Sequence, residues 1–169
     1  VSKPAYIINQ VCGSGLRSVV SGFQSIKLEE NKIIISGGQE NMSRAPHSLF
    51  YRENKKLDES KLIDTMINDG LTDSFNYYHM GVTAENVAEK FEISRDEQDS
   101  FALNSQKKAQ EAVEKKKFKD EIIKLQINNN KENVIFDKDE HPRNNLIIDD
   151  LKRLKTIFKE NGTVTPGNS

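Results

Sequence analysis

Asn9-Gln10-Val11-Cys12-Gly13-Ser14-Gly15-Leu16 joins two different periodicities. The apolar run Tyr6-Ile7-Ile8 leads into it, and Leu16, Val19, Val20, Phe23 and Ile26 follow at helical spacing, so the stretch reads as strand, tight turn, helix. Cys12 falls at the seam. Gly13 and Gly15 predict a turn sharp enough to leave a side chain exposed, with little bulk around it. A thiol there faces the free N–H groups and positive end of the helix, which favour the thiolate, the nucleophilic form. That geometry suits covalent acyl transfer. A lone cysteine is more often a small buried hydrophobe, so the flanking pattern has to decide.

Downstream, Ile33-Ile34-Ile35-Ser36 runs straight into Gly37-Gly38-Gln39-Glu40-Asn41-Met42-Ser43. The two apolar runs and the helix between them, about Ser14 to Glu29, predict a β-α-β unit. Strands apolar at consecutive positions fit a parallel sheet covered on both faces, and two strands alone cannot bury such faces. Both glycine-bearing segments then leave the carboxyl ends of the strands, where open α/β sheets place their sites.

Four blocks in this order resemble the thiolases, the acyl-CoA acetyltransferases: Asn9-x-x-Cys12-Gly13-Ser14-Gly15-Leu16, Gly37-Gly38-x-Glu40-Asn41-Met42-Ser43, His79-Met80-Gly81-x-Thr83-Ala84-Glu85-Asn86-Val87-Ala88 and Gly162-Thr163-Val164-Thr165-x-Gly167-Asn168-Ser169. The resemblance runs along essentially the whole chain. It implies an α/β fold, a partial thiolase-type N-terminal α/β domain with a helical loop domain. Residues 1–45 would belong to the α/β core, 46–160 to the loop domain, and 161–169 to a strand returning to the core. By resemblance Cys12 accepts the acyl group, interconverting two acetyl-CoA with acetoacetyl-CoA and coenzyme A. The resemblance implies substrate or coenzyme A contacts at His79, Met80, Leu71, Arg143 and Phe158, no cofactor beyond coenzyme A as substrate, and a homotetramer for a full-length member. It also places the activating His and a second acid–base Cys in the family's C-terminal half; this chain has one Cys, and His47, His79 and His141 lie outside the family's catalytic His motif.

The bulk numbers bound the alternatives. A chain of 169 residues with 35% hydrophobic and 30% charged content has room for one domain, or one and a part, with a modest core. Its net charge of -1, both signs interspersed, favours neither nucleic acid nor an anionic membrane as partner. No apolar run approaches the ~20 residues of a membrane span, and Val1-Ser2-Lys3-Pro4 lacks the apolar region of a signal peptide. One cysteine excludes an internal disulfide and fits a reducing compartment, with the cytoplasm as the expectation. Val1 leads at once into an apolar run and Gly167-Asn168-Ser169 follows a Thr-Val-Thr pattern without a closing element, so the chain reads as cut at both ends.

Between the blocks, Arg44 to about Ser74 reads as a polar surface stretch with a charged run at Arg52-Glu53-Asn54-Lys55-Lys56. Leu62, Ile63, Met66 and Ile67 predict a short helix ending near Gly70, and Asp64 and Asp69 read as surface charges. From the residues alone His79 is an ordinary loop histidine; by resemblance it lies near the pantetheine end of coenzyme A, with Met80 crowding the acyl pocket against long chains. Ala84, Val87, Ala88 and Phe91 form a helical stripe over Thr83–Phe91. Ser94-x-x-Glu97 is a capping box opening a long helix whose buried face would be Phe101, Ala102, Ser105, Ala109, Ala112 and Val113. Lys115-Lys116-Lys117 suits that helix's C-terminal dipole better than a phosphate.

Ile123, Leu125 and Ile127 alternate with polar residues as a half-buried strand, Asn128-Asn129-Asn130-Lys131 is its turn, and Val134-Ile135-Phe136 returns. Asp137 to Arg143 holds one His among adjacent carboxylates, without metal-ligand spacing, so no metal is expected. Arg143 reads equally as a surface arginine and, by resemblance, as a contact to the adenine and phosphate end of coenzyme A, which a planar guanidinium suits. Asp149 is expected to cap a last helix aligning Leu151, Leu154 and Phe158; Phe158 is either helix core or, by resemblance, an aromatic lining the pantetheine channel. Competing readings of the chain are a ketoacyl synthase, against which the Gly-Gly-x-Glu-Asn-Met-Ser and His-Met-Gly blocks argue, a 3-ketoacyl-CoA thiolase of broader chain length, a remnant that only binds coenzyme A, and a redox-sensing thiol.

Overall fold

A computed structural model describes residues 3–49, 62–129 and 132–169, with Asn129 and Glu132 described by their backbone. The charged run at 52–56 and the Asn130-Lys131 half of the predicted turn lie outside the described residues. The chain divides between Thr72 and Asp73 into two units, where the sequence reading sets boundaries at 45/46 and 160/161.

In the first unit the helix expected after Cys12 is α1, Ser14–Lys27. The segments expected as strands at 6–8 and 33–36 are assigned to no strand, and Ile7 and Ile35 are each 97% exposed. A strand needs a hydrogen-bonded neighbour, and among the described residues neither segment has a ladder. The helix nevertheless lies on the second segment. Ser18 Oγ donates to the Gly37 carbonyl (3.1 Å) and Ser36 Oγ to the Ser18 carbonyl (3.1 Å). Between them a Cβ on Gly22 would stand 2.9 Å from Ser36 Oγ and 3.1 Å from Ile34 Cγ2. The face that packs is thus the small one, while Leu16, Val19, Phe23 and Ile26, expected to be buried, stay exposed.

Further along, β1 (His47–Ser48) and β2 (Ile63–Asp64) pair antiparallel, with His47 opposite Asp64 and Ser48 opposite Ile63. Ile63 is therefore in a ladder and not in the helix expected there. The helical turn starts later, as a π-helical turn Met66–Leu71. Asp64 is no bystander: its Oδ1 accepts from the N–H groups of Met66 (2.9 Å) and Ile67 (3.3 Å), satisfying donors that a helix start leaves unpaired.

The second unit holds α2 (Met80–Lys90), α3 (Arg95–Glu114), the hairpin β3 (Leu125–Asn129) and β4 (Glu132–Phe136), and α4 (Ile148–Lys152). The capping box is as expected, Ser94 N–H donating to Glu97 Oε2 (2.8 Å) and Glu97 N–H to Ser94 Oγ (3.3 Å). In the hairpin Leu125 pairs with Phe136 and Ile127 with Val134. Its apolar side chains are exposed, not half-buried, because no layer covers either face among the described residues.

On α2 and α3 the buried positions differ from those expected. Gly81, Glu85 and Ala88 are buried on α2, while Val87 and Phe91 are exposed; on α3 Asp99 is fully buried while Phe101 and Val113 are exposed. The reason is the segment after α4. Asp149 does not cap α4; Ile147 is its N-cap and donates its N–H to Asp150 Oδ2 (3.2 Å). The helix ends at Lys152, so Leu154 and Phe158 lie beyond it, and residues 153–169 run back over α2 and α3 as irregular chain. Residues 162–165 form no strand here. Backbone donors without a ladder need other acceptors, and the buried Glu85 carboxylate supplies them for Thr163 and Val164.

Candidate active site

Cys12 is exposed, one residue before the N-cap of α1. The turn that presents it is tied by side chains: Asn9 Oδ1 accepts from Val11 N–H (2.9 Å), Ser14 Oγ accepts from Gln10 N–H (2.9 Å) and donates to the Val11 carbonyl (2.7 Å). Gly13 has φ -81°, an ordinary helical value, so it is not the residue that bends the chain. Val11 is, at φ 49°. A β-branched residue in the left-handed region is strained by roughly 1–2 kcal/mol, and the Asn9 and Ser14 bonds hold it there. The Gly37-Gly38 block lies beside this turn, a Cβ on Gly38 standing 3.7 Å from Gly15 Cα. Leu71, half-buried, ends the π-helical turn of the same unit.

The remaining expected site residues belong to the second unit. A loop closed by Asp73 leads to His79: Asp73 N–H donates to the Tyr78 carbonyl (2.9 Å), and its carboxylate accepts from Asn76 Nδ2 (2.5 Å) and Phe75 N–H (3.1 Å). The Asn76 bond and then the Phe75 bond hold the Asp73 carboxyl below its usual range. His79 is the N-cap of α2, its Nδ1 accepting from Gly81 N–H (3.0 Å). An accepting Nδ1 leaves the proton of the neutral ring on Nε2. The Phe158 ring stacks on that imidazole, centroids 4.9 Å apart and planes 19° from parallel. It also covers Gly81 so closely that a Cβ there would overlap the ring. His79 and Phe158 are thus brought together, and Met80, at the first position of α2, is half-exposed beside them in sequence. Arg143 is exposed and hung from α3 by its backbone, its N–H donating to Gln106 Oε1 (2.9 Å), while Asn145 N–H donates to Gln110 Oε1 (3.1 Å).

Two carboxylates that sequence reasoning missed hold the chain around Phe158. Glu85, 3% exposed, accepts from the Thr163 N–H (2.9 Å to each oxygen), the Thr163 hydroxyl (3.0 Å) and the Val164 N–H (2.8 Å). Burial pushes its carboxyl up, but the Val164 and Thr163 bonds, with the nearby Lys159 charge, outweigh it and hold the group below the usual glutamate range. Asp99 accepts from Arg95 Nε (2.7 Å) and Asn168 Nδ2 (2.9 Å), and Asn168 in turn binds the Thr163 carbonyl (3.0 Å) and Thr165 N–H (2.8 Å). The available signal was small residues around Glu85: Gly81 and Ala88, at i-4 and i+3, mark a face that another backbone approaches closely.

The chain matches the family of the thiolase N-terminal domain over residues 1–169. It belongs to the thiolase family. Similar thiolases include the acetyl-CoA acetyltransferase of Paracoccus denitrificans, 48% identical over 98% of this chain and 42% of that protein. The acetyl-CoA acetyltransferase of Rhizobium meliloti is 48% identical over 99% of this chain and 42% of its own length. The crystal structure of the Bacillus anthracis acetyl-CoA acetyltransferase superposes with a TM-score of 0.89 at 37% identity, over 97% of this chain and 42% of that one. The fold is thus that of a partial thiolase N-terminal domain, α/β in class, and the chain spans about 42% of the length of these thiolases.

Proposed function

We propose that this chain carries the acyl-accepting half of an acetyl-CoA acetyltransferase, with Cys12 as nucleophile. The supporting observation is an exposed thiol one residue before the N-cap of α1, on a turn strained at Val11 and tied by Asn9 and Ser14. The Cys12 sulfur attacks the thioester carbonyl of an acyl-CoA, a C–S bond forms, and coenzyme A leaves as its thiol once the proton is returned. Backbone N–H groups at the start of α1, that of Cys12 among them, stabilise the oxyanion between the two states. His79 offers Nε2–H and Phe158 an apolar ring to the pantetheine arm, with Leu71 and Arg143 as further coenzyme A contacts. Met80 limits the acyl chain by bulk. An activating His and a second thiol come from the part of the relatives' length that this chain does not span. The protein works in the cytoplasm as a tetramer, in fatty acid metabolism, with coenzyme A as substrate and no other cofactor; among the described residues no helix is long and apolar enough to cross a membrane.

The test is intact-mass measurement after incubation with acetyl-CoA. One acetyl group on the wild type and none on Cys12→Ser supports the nucleophile. A folded wild-type sample that stays unlabelled at about pH 9, where an ordinary thiol ionises without an activating His, overturns it in favour of a binding remnant.

A further inference from the structure

The face of α2 toward residues 158–164 carries three anchors at one-turn spacing, two buried and the last exposed, each meeting a different chemical feature of that segment. Gly81 receives the Phe158 ring, Glu85 receives the Thr163 and Val164 amides, and Glu89 Oε2 accepts from Lys159 Nζ (2.7 Å). The first two are joined through the chain itself, because Ile157 N–H donates to the Val164 carbonyl (3.3 Å), next to Phe158. The Glu89–Lys159 pair is exposed at both ends and weak, whereas Glu85 is buried and fully bonded. A Cβ on Gly162 would overlap the Glu85 carboxylate, so the backbone there has come in to reach it.

We infer that Glu85 is a positioning residue: by tying Thr163 and Val164 to the helix that His79 caps, it sets the Phe158 ring against the His79 imidazole. Glu85 touches neither ring. It acts through the Val164–Ile157 bond, fixing how far along α2 the Phe158 segment sits. The assignment of that ring pair to coenzyme A rests on the function proposed above, while the pairing itself does not.

An amide in place of the carboxylate brings one acceptor and an N–H2 group to face three donors, so Glu85→Gln disturbs the tie with little change in volume. The measurement is the ring-current shift of the His79 imidazole protons in NMR spectra of the full chain, with Phe158→Leu as the zero point. Glu85→Gln is expected to move these resonances most of the way to the Phe158→Leu positions, with helical circular dichroism unchanged. Leu151→Ala, which cuts a buried side chain elsewhere in the unit, is expected to lower thermal stability and leave them in place. If Glu85→Gln does not fold, Thr163→Val removes the hydroxyl bond to Glu85 (3.0 Å), together with the one that hydroxyl accepts from Gln98 Nε2 (2.9 Å), and keeps both backbone bonds to the carboxylate. It is expected to give a smaller shift in the same direction, with Gln98→Ala, which loses only the second of these two hydroxyl bonds, leaving the resonances in place. Unchanged His79 resonances in a folded Glu85→Gln or Thr163→Val chain, or the same change in Leu151→Ala, overturn the inference. Coenzyme A affinity is read separately: a roughly tenfold loss in Glu85→Gln supports both readings, since it corresponds to about 1.4 kcal/mol. Displaced resonances with unaltered affinity keep the positioning role and remove the coenzyme A assignment.

Discussion

At Gly81 a missing methyl group makes room for an aromatic ring, and three other glycines serve in the same way. None of its glycines has positive φ. Gly22 gives clearance to Ile34 and Ser36, Gly162 to Glu85, and Gly167 to Leu151 and Leu154. Reading Gly13 and Gly15 as the bend before α1 was therefore right about the turn and mistaken about its residue, since Val11 takes the left-handed value. Sequence alone hid this because a β-branched side chain is the last place to look for φ > 0. Gly81→Ala is expected to destabilise the second unit by about 2 kcal/mol, the usual scale of overpacking, and to push Phe158 off His79. Thermal denaturation measures the first effect and the His79 ring-proton shifts the second.

Elements were legible where local rules alone set them. The Ser94–Glu97 box, α1 after the Cys12 turn and the 125–136 hairpin all follow from caps and periodicity. Buried faces were not, because they depend on what arrives from far along the chain: Glu85 is buried by residues 78 positions later, and no periodicity in α2 announces them. Helix ends were hidden too. After α1, α2 and α3 the chain turns through Glu29 (φ 60°), Glu92 (φ 55°) and Lys116 (φ 54°). In each case the next N–H closes back on the last turn: Glu30 to the Ser25 carbonyl (3.1 Å), Ile93 to Ala88 (2.9 Å) and Lys117 to Ala112 (3.0 Å). These are Schellman ends, which normally carry glycine. Glu29→Gly, Glu92→Gly and Lys116→Gly are each expected to stabilise the chain by about 0.5–1 kcal/mol, the left-handed penalty relieved less the backbone entropy of glycine. Chemical denaturation of the single variants and the triple variant checks the size and the additivity.

Taken as a whole, the described residues bury few apolar side chains, Ala88, Leu151 and Val164, all in the second unit, beside the polar Glu85, Asp99 and Thr165. Cohesion there leans on ionised hydrogen bonds, so acid should loosen it. Glu85 is held below the ordinary glutamate range when folded, which makes its contribution present above that range and lost as pH falls through the folded value. The charged group facing it is Lys159, and Glu89 lies on its own helix. The melting temperature is expected to drop from about pH 6 to about pH 3, and to drop less steeply in Glu85→Gln, because the amide does not titrate. Equal slopes in the two chains would mean the exposed carboxylates set the acid response. The spacing of the anchors on α2 carries one more consequence. Slide residues 158–164 one turn toward the end of α2 and an aromatic face meets the Glu85 carboxylate; slide them one turn the other way and peptide amides meet the bare Gly81. The helix therefore reads its own returning segment like a keyed connector, admitting one seating and rejecting the neighbouring ones without a large oily interior to enforce it.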